Sequence, residues 1–355
     1  MRTVIHAERK RGRYPLKGNT KHLAAVIFVF TVIAIAYACR MLAKFDIGGP
    51  AVNHIRSALY LLLFALWGFS LDRRIIQRQA LHCLRLTAAL ILLWLILRTL
   101  KYSVVTGLTA ARYVWYLYYL PMLFLPLLGV YIALSMGKPE DYRLSRRAGM
   151  LLIVPAALFL LVITNDLHQQ VFAFKSGVPG LPVSGTYSHR PLYYVCLGWI
   201  VGCMVFSLVC LFRKSRMPGG RGQRIMPFVL GCVMFLYGLL YLSGIPAVRW
   251  WLGDMNVMFC LLYAAIYESC IRCRMIPSNT GYMELFEAST LAACIADRSG
   301  QIVLRSRAAG EDMICPQDGQ RIIRPDGMRI SSAPISGGYA VWQDNVRPLT
   351  ELHAR

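Results

Sequence analysis

Four polar residues that could bind a ligand stand together just after an apolar stretch: Asn165, Asp166, His168 and Gln169. Their amide, carboxylate and imidazole groups are suited to hydrogen bonding with a small polar molecule. A single His and a single carboxylate are too few to indicate a metal site. Two interpretations stay open, because the same residues would also serve as a polar cap at the C-terminal end of the preceding helix.

Charged residues elsewhere in the chain could join this group at one end of a helical bundle. Arg98 and Lys101 lie at the end of another apolar stretch, His189 and Arg249 lie in later connectors, and Asp254 lies at the start of the last apolar stretch, all on the same predicted side. We predict no catalytic residue, no metal site and no cofactor. The predicted ligand-binding residues are Arg98, Lys101, Asn165, Asp166, His168 and Gln169.

The elements that must position these residues are apolar segments long enough to cross a membrane. Hydrophobic residues make up 57% of the chain and charged residues 16%, which is typical of membrane proteins. Each segment approaches the ~20 residues that span a bilayer. Eight spans are predicted, at residues 22–39, 55–71, 83–98, 113–136, 150–164, 192–212, 225–243 and 253–272. Kinks are predicted within them at Pro121, Pro126, Pro155 and Pro227.

The net charge of +22 lies beside the apolar segments. Residues 1–273 hold 30 of the 39 basic and 8 of the 17 acidic residues, whereas residues 274–355 are neutral. Because the basic residues fall in alternate connectors, the pattern follows the positive-inside rule. It predicts a multi-pass membrane protein with both termini in the cytoplasm and without a nucleic-acid partner. The alternative that residues 22–39 are a cleaved signal peptide, which would leave seven spans, stays open.

The last predicted span continues into a polar segment that leads to the C-terminal part of the chain. Glu268 and Arg272 are four positions apart, so they can form an ion pair on one face of a helix. Pro277 ends that helix soon afterwards. We predict that these three residues take part in transmitting a signal.

Residues 283–345 have the pattern of a small α+β unit. The sequence predicts a helix at 282–290 and strands at 292–296, 302–304, 320–324, 328–335 and 339–343, separated by turn residues. A helix, two strands, a gap and three antiparallel strands form the skeleton of a PAS-like sensor domain. The gap at 306–318 is where binding helices of such a domain would lie. We therefore expect a coupling module instead of a ligand pocket.

Several stretches resemble the N-terminal multi-helix sensor region of bacterial histidine kinases, the type called the seven-transmembrane histidine-kinase sensor. The resemblance covers most of residues 40–345. The matching stretches are residues 115–122 (WYLYYLPM), 137–142 (GKPEDY), 164–169 (TNDLHQ), 267–270 (YESC), 276–282 (IPSNTGY), 285–289 (LFEAS) and 338–344 (GYAVWQD).

In such kinases the membrane sensor precedes a PAS-like segment, a coiled-coil helix, and dimerisation and ATP-binding domains. The resemblance implies a protein of the bacterial cell membrane that forms a homodimer and works with a separate kinase or response-pathway protein. This chain carries no ATP-binding motif, and only two residues follow His353, so we expect no kinase activity.

The predicted fold is an all-α polytopic membrane bundle of about eight transmembrane helices, followed by a small α+β PAS-like cytoplasmic unit. The predicted divisions are a basic tail (1–21), a sensor bundle (22–273), a linker (274–282), the PAS-like domain (283–345) and the start of a coiled-coil helix (346–355). The predicted function is a sensory receptor that passes a signal through its last transmembrane helix. The alternative is a multi-helix transporter or channel-like protein with an accessory tail.

Overall fold

A computed structural model of the chain divides into two compact units, Met1–Pro277 and Ser278–Arg355. The first unit is helical and the second contains a β-sheet. The structure describes residues 17–138, 142–174, 187–215, 225–251, 254–273, 275–276, 278–279, 286–297, 299–310, 313–316, 321–323, 327–335 and 338–345.

The described part of the first unit contains helices that follow one another through short connectors, and a two-stranded hairpin. The helices are α1 (Lys17–Lys44), α2 (Gly49–Arg74), α3 (Arg78–Ser103), α4 (Leu108–Leu117), α5 (Tyr119–Ser135), α6 (Arg146–Met150), α7 (Ile153–Ile163), α8 (Asn165–His168), α9 (Pro191–Ser215), α10 (Met226–Leu242), α11 (Pro246–Trp251) and α12 (Met255–Arg272). The hairpin consists of β1 (Phe172–Phe174) and β2 (Tyr187–His189), which pair antiparallel.

Among the described residues, six helical segments are long and apolar enough to cross a membrane. Two of them join consecutive helices, since α4 and α5 form one segment and α6 and α7 form another. Helix α10 is shorter, at 17 residues, and α12 is not among the six. The count of eight spans therefore stays a prediction, whereas a helical membrane bundle is what the structure shows.

Burial differs strongly between the helices of the bundle. Ile91 of α3, Leu125 of α5 and Cys260 of α12 are fully buried in one hydrophobic cluster. By contrast, only 11% of the apolar stretch of α1 is buried inside the protein. Packed interiors of this kind have low compressibility.

The four prolines that the sequence places within spans do not all act as kinks. Pro121, Pro155 and Pro227 lie within the first three residues of α5, α7 and α10. In the first turn of a helix the missing N–H costs nothing, because that group would have no intrahelical partner. Pro126 alone of the four lies inside a helix, α5. Pro121 and Pro155 follow the breaks that divide two of the membrane-length segments into α4–α5 and α6–α7, so the kinks at these two prolines stay predictions, whereas Pro227 starts α10.

The second unit is built around an antiparallel five-stranded sheet with the order β4-β3-β7-β6-β5. Its strands are β3 (Ala293–Asp297), β4 (Ile302–Arg305), β5 (Ile322–Ile323), β6 (Met328–Ile335) and β7 (Gly338–Asn345). The five predicted strands are thus present. The predicted helix at 282–290 lies partly outside the described residues, and within them Phe286 and Glu287 are helical. Cys294, Met313, Ile330 and Val341 form the buried centre of this unit.

The approach of β3 to β7 depends on the absence of a side chain at Gly338. A Cβ atom there would lie 2.0 Å from the carbonyl oxygen of Ala296 and 3.0 Å from Cα of Asp297. We expect Gly338→Ala to destabilise this unit by about 1–3 kcal/mol, because the backbone of β3 would have to move. Hydrogen exchange of β3 and β7 in the full chain measures the change.

Gly300 provides a matched control in the same unit. It has a positive φ, of 83°, but a Cβ atom there would meet nothing within 4 Å. Because Asn tolerates this conformation, Gly300→Asn should leave the exchange of β3 and β7 nearly unchanged. Equal effects of the two substitutions would show that the close approach at Gly338 does not limit the stability of the sheet.

Candidate ligand-binding site

A polar cavity of about 690 Å³ lies where α1 ends, α2 begins and α3 ends. We call it the basic cavity. A volume of this size is typical of sites for small molecules. Its polar lining residues are Arg40 and Lys44 of α1, Asn53, His54, Arg56 and Ser57 of α2, Arg98, Thr99, Tyr102 and Ser103 of α3, and Asp254 just before α12.

Arg98 and Asp254 form a two-pronged ion pair in the basic cavity. Nε of Arg98 donates to Oδ1 of Asp254 at 3.1 Å, and Nη2 of Arg98 donates to Oδ2. The side chain of Arg98 is 9% exposed and that of Asp254 is 23% exposed. The parallel hydrogen bonds fix the orientation of both groups. The pair therefore attaches the residue that precedes α12 to the end of α3.

Arg56 also faces the basic cavity, and its Nε atom is buried without a hydrogen-bond partner within the described part of the chain. A buried donor that makes no hydrogen bond costs about 1–3 kcal/mol, and more when it is charged. Among the described lining residues, four cationic side chains thus share the cavity with one carboxylate, that of Asp254. The protein leaves a surplus of positive charge in this cavity.

Two of these cations also hold the C-terminal end of α11. Arg40 donates from Nη1 to the carbonyl oxygen of Trp251 at 2.8 Å and from Nη2 to that of Trp250 at 3.0 Å. Lys44 donates to the same Trp250 oxygen, and its Nζ atom lies 3.9 Å from the ring centroid of Trp250. The last carbonyls of a helix lack intrahelical donors. Arg40 and Lys44 supply them and connect α1 to the segment that leads to α12.

Asn165 and Asp166 lie in a different cluster, which holds the connector after α7. Asn165 is completely buried, and its Oδ1 accepts hydrogen bonds from the backbone N–H groups of Val171 and Phe172 at 3.0 and 2.9 Å. Its Nδ2 donates to Tyr116 Oη at 3.1 Å and to the Phe172 carbonyl at 2.9 Å. These four bonds satisfy the amide of Asn165 within the protein. None of the four bonds goes to a backbone group of α7, so the side chain of Asn165 holds the connector that follows this helix.

Asp166 extends the same cluster towards α4. It accepts a hydrogen bond from Tyr116 Oη at 2.7 Å and pairs with Arg112 at 2.8 Å. Its carboxylate is therefore shared between a neutral and a charged donor of α4. Because both donors come from one helix, Asp166 attaches the connector after α7 to α4.

The other predicted ligand-binding residues face different surroundings. Nε2 of His168 lies 3.0 Å from the Leu161 carbonyl, and its Nδ1 accepts from the Gln170 N–H at 3.0 Å. Gln169 has a positive φ of 48° and ends α8. Lys101 lies 5.6 Å from the ring centroid of Tyr118 and 6.0 Å from that of Trp115. Of the six residues, Arg98 is the one that lines the basic cavity.

Aromatic side chains cover the Asn165 cluster. Trp115 lies 4.6 Å from Phe172 and 4.9 Å from Tyr187, centroid to centroid. His189 stacks on Tyr193 at 3.9 Å, and burial lowers the pKa of His189 from its ordinary value by disfavouring the imidazolium. These contacts join the β1–β2 hairpin to α4 and α9. The aromatic residues of α4 thus form part of a packed core around the hairpin.

A second ion-pair cluster lies at the opposite end of α12. Arg74 donates to both carboxylate oxygens of Glu268, at 2.7 and 3.0 Å. Glu268 also pairs with Arg272 at 3.4 Å, so the predicted pair on one helix face is confirmed. Its partner Arg74, 194 positions away, was not predicted. Pro277, the third predicted transmission residue, lies outside the described residues.

Sequence reasoning also missed Arg40, Lys44, His54 and Arg56 as lining residues of the basic cavity. A signal for them was present, because they stand near the same predicted connector side as Arg98 and Asp254. The positive-inside rule predicts few basic residues on this side of the membrane. An excess of positive charge there could therefore have identified these residues.

The helical unit matches one known family. The family model described as the N-terminal 7TM region of histidine kinase matches residues 55–277. No curated protein matches the chain. The matched residues include the Arg98–Asp254 and Arg74–Glu268 pairs and all of α12.

Proposed function

The chain belongs to the family of N-terminal 7TM regions of histidine kinases, and from this premise we propose that it is a membrane receptor that transmits a signal through α12. Membership in this family indicates a multi-pass membrane protein with a sensory role. The finer proposal concerns how the signal leaves the bundle. It rests on one observation, which is that a single helix carries an ion pair at each of its two ends.

Helix α12 connects the basic cavity to the Arg74 cluster. Asp254, just before its first residue, pairs with Arg98, while Glu268 near its last residue pairs with Arg74. Fourteen residues of helix separate these carboxylates, which corresponds to about 21 Å. Cys260 and Ile266 of α12 are buried between these two carboxylates. A change at the cavity would therefore reach the other end through a rigid, packed element.

We further propose that the basic cavity faces away from the cytoplasm and the Arg74 cluster faces the cytoplasm of a bacterial cell. The positive-inside pattern supports this orientation. Seven of the eight predicted spans lie largely within the matched residues 55–277 of a seven-helix family, which supports one additional span before residue 55. In this orientation both termini are cytoplasmic.

The second unit is proposed as a PAS-like coupling module. Its sheet joins a two-stranded hairpin, β3–β4, to a three-stranded meander, β5–β6–β7, through the pairing of β3 with β7. This is the arrangement that the PAS-like skeleton requires. We propose that the module passes the movement of α12 to a kinase or response-pathway protein, with a homodimer as the working unit.

A substitution at one end of α12 tests transmission without a known stimulus. Asp254→Asn removes the carboxylate charge that holds Arg98. If α12 couples its two ends, amide exchange at the Glu268 end should change by about fivefold or more, which is the lower range of allosteric coupling. Hydrogen-exchange mass spectrometry of the full chain in nanodiscs measures both ends in one experiment.

Arg85→Gln serves as the matched control. Arg85 pairs with Asp72 at 2.6 Å, both side chains are about half exposed, and neither belongs to α12. Its loss should leave exchange at the Glu268 end unchanged. If Asp254→Asn altered exchange only near residue 254, transmission through α12 would be refuted. Solute flux through liposomes containing the same protein would then favour a transporter.

A further inference from the structure

The basic cavity carries more positive charge than the described protein groups around it balance. Arg40, Lys44, Arg56 and Arg98 line it together with the single carboxylate of Asp254. Guanidinium groups stay protonated at every physiological pH. Charges of one sign that line the same cavity repel each other, so an anion that enters the cavity lowers this repulsion.

The Arg98 guanidinium is arranged to bind a planar or tetrahedral oxyanion. It already holds a carboxylate by two hydrogen bonds, through Nε and Nη2. The same fork matches a ligand carboxylate or phosphate equally well. A ligand group of this kind would compete directly with Asp254 for Arg98.

Arg56 supplies a second, unoccupied donor. Its Nε atom is buried and has no acceptor among the described residues. Because that atom is buried, a ligand oxygen satisfies it only if the Arg56 side chain rotates towards the cavity, whereas the positive charge of Arg56 attracts an anion in either conformation. The volume of about 690 Å³ exceeds what one phosphate or carboxylate group fills, so the ligand is larger than a single oxyanion.

We propose that the basic cavity binds a small, multiply charged anion with phosphate or carboxylate groups, which engages Arg56 and displaces Asp254 from Arg98. The displacement releases the start of α12 from α3. This last step rests on the proposed transmission through α12, while the binding step does not. Because a membrane lipid also carries phosphate, the anion is either a soluble molecule or a lipid headgroup.

Titration calorimetry on the full chain tests the binding step. In phosphatidylcholine nanodiscs, pyrophosphate and citrate serve as soluble probes, and nanodiscs that also contain phosphatidic acid supply a lipid phosphate. A soluble ligand predicts binding of a probe in both kinds of nanodisc. If the ligand is a lipid, phosphatidic acid should weaken the binding of the soluble probes. If no soluble probe binds, phosphatidic acid should still stabilise the protein against unfolding, and the Arg56→Gln variant should lose this stabilisation.

Two variants give opposite expected results, so that misfolding cannot imitate both. Arg56→Gln should weaken anion binding about tenfold or more, because it removes a charged hydrogen bond. Asp254→Asn should strengthen binding, since the competing carboxylate is lost. Arg85→Gln should bind as the unaltered chain does. The proposal would be overturned if a probe binds equally well to the Arg56 and Asp254 variants and to the unaltered chain. It would also be overturned if neither pyrophosphate nor citrate binds and phosphatidic acid gives no stabilisation that depends on Arg56.

The two proposals fail in distinguishable ways. If an anion binds with this mutational pattern but exchange at the Glu268 end does not respond, the cavity is an anion site and transmission through α12 is wrong. If Asp254→Asn alters exchange at the Glu268 end but no probe binds, transmission stands and the anion site is overturned.

Discussion

Replacing Asp254 by Leu is expected to lower the free energy of unfolding by about 3–5 kcal/mol, which is typical of breaking a shielded ion pair from one side. The substitution leaves Arg98, whose side chain is 9% exposed, without its carboxylate. Arg98 then shares the basic cavity with three further cations. Steric trapping of the full chain in bicelles measures the free energy of unfolding.

A double substitution separates the ion pair from general packing at this site. Arg98→Met combined with Asp254→Leu removes both charges and keeps side chains of similar length. Its loss of stability should be clearly smaller than that of Asp254→Leu alone, because no unpaired charge remains. If the double variant is as unstable as the sum of both single variants, charge compensation does not explain the effect.

Replacing Asn165 by Ala is expected to cost about 3 kcal/mol or more. The buried N–H groups of Val171 and Phe172 both donate to Asn165 Oδ1, and the alanine variant leaves them without an acceptor. Each buried backbone donor that loses its partner costs about 1–3 kcal/mol. The Tyr116 hydroxyl and the Phe172 carbonyl also lose a donor. Thermal unfolding of the full chain measures the loss, and hydrogen exchange at residues 171 and 172 localises it.

Thr164→Val is the control for this second prediction. Thr164 donates to the Leu160 carbonyl at 2.7 Å from an exposed position, one residue before Asn165. Water can replace that bond, so the cost should stay below about 1 kcal/mol. Comparable losses for the two variants would mean that the connector after α7 is not held by the side chain of Asn165.

The length of the apolar segments made the helices of the bundle predictable, but it did not show which helices pack against each other. The apolar segments that became α2, α3 and α9 were recognised because each is long enough to span a bilayer. Such segments are apolar on every side, so the sequence does not show which side faces another helix. For this reason the pairing of Arg74 with Glu268 was not predicted, while that of Glu268 with Arg272 on the same helix was.

The sequence predicted which end of the bundle holds the candidate site, but it predicted only some of the residues that form the site. Arg98 and Asp254 were both assigned to one end of the bundle, and the structure joins them directly. Asn165 was assigned to a ligand mouth or to a cap, since an exposed amide and a fully buried one look alike in a sequence. Its four internal hydrogen bonds depend on a connector fold that the Gly- and Pro-containing sequence does not specify. The strands of the second unit were located because alternating residues and turn signals are local.

The attachment of α1 to α11 sets an order on biosynthesis. Arg40 and its acceptor Trp251 are 211 positions apart, and Asp254 follows Trp251. At roughly 5–20 residues per second, a ribosome needs about 10–40 s to pass from the first to the last of these residues. The cations of α1, α2 and α3 all enter the nascent chain during the first part of that interval, whereas the carbonyls and the carboxylate that bind them are added at its end. The hydrogen bonds from Arg40 and Lys44 to α11 can therefore form only after translation has passed Trp251.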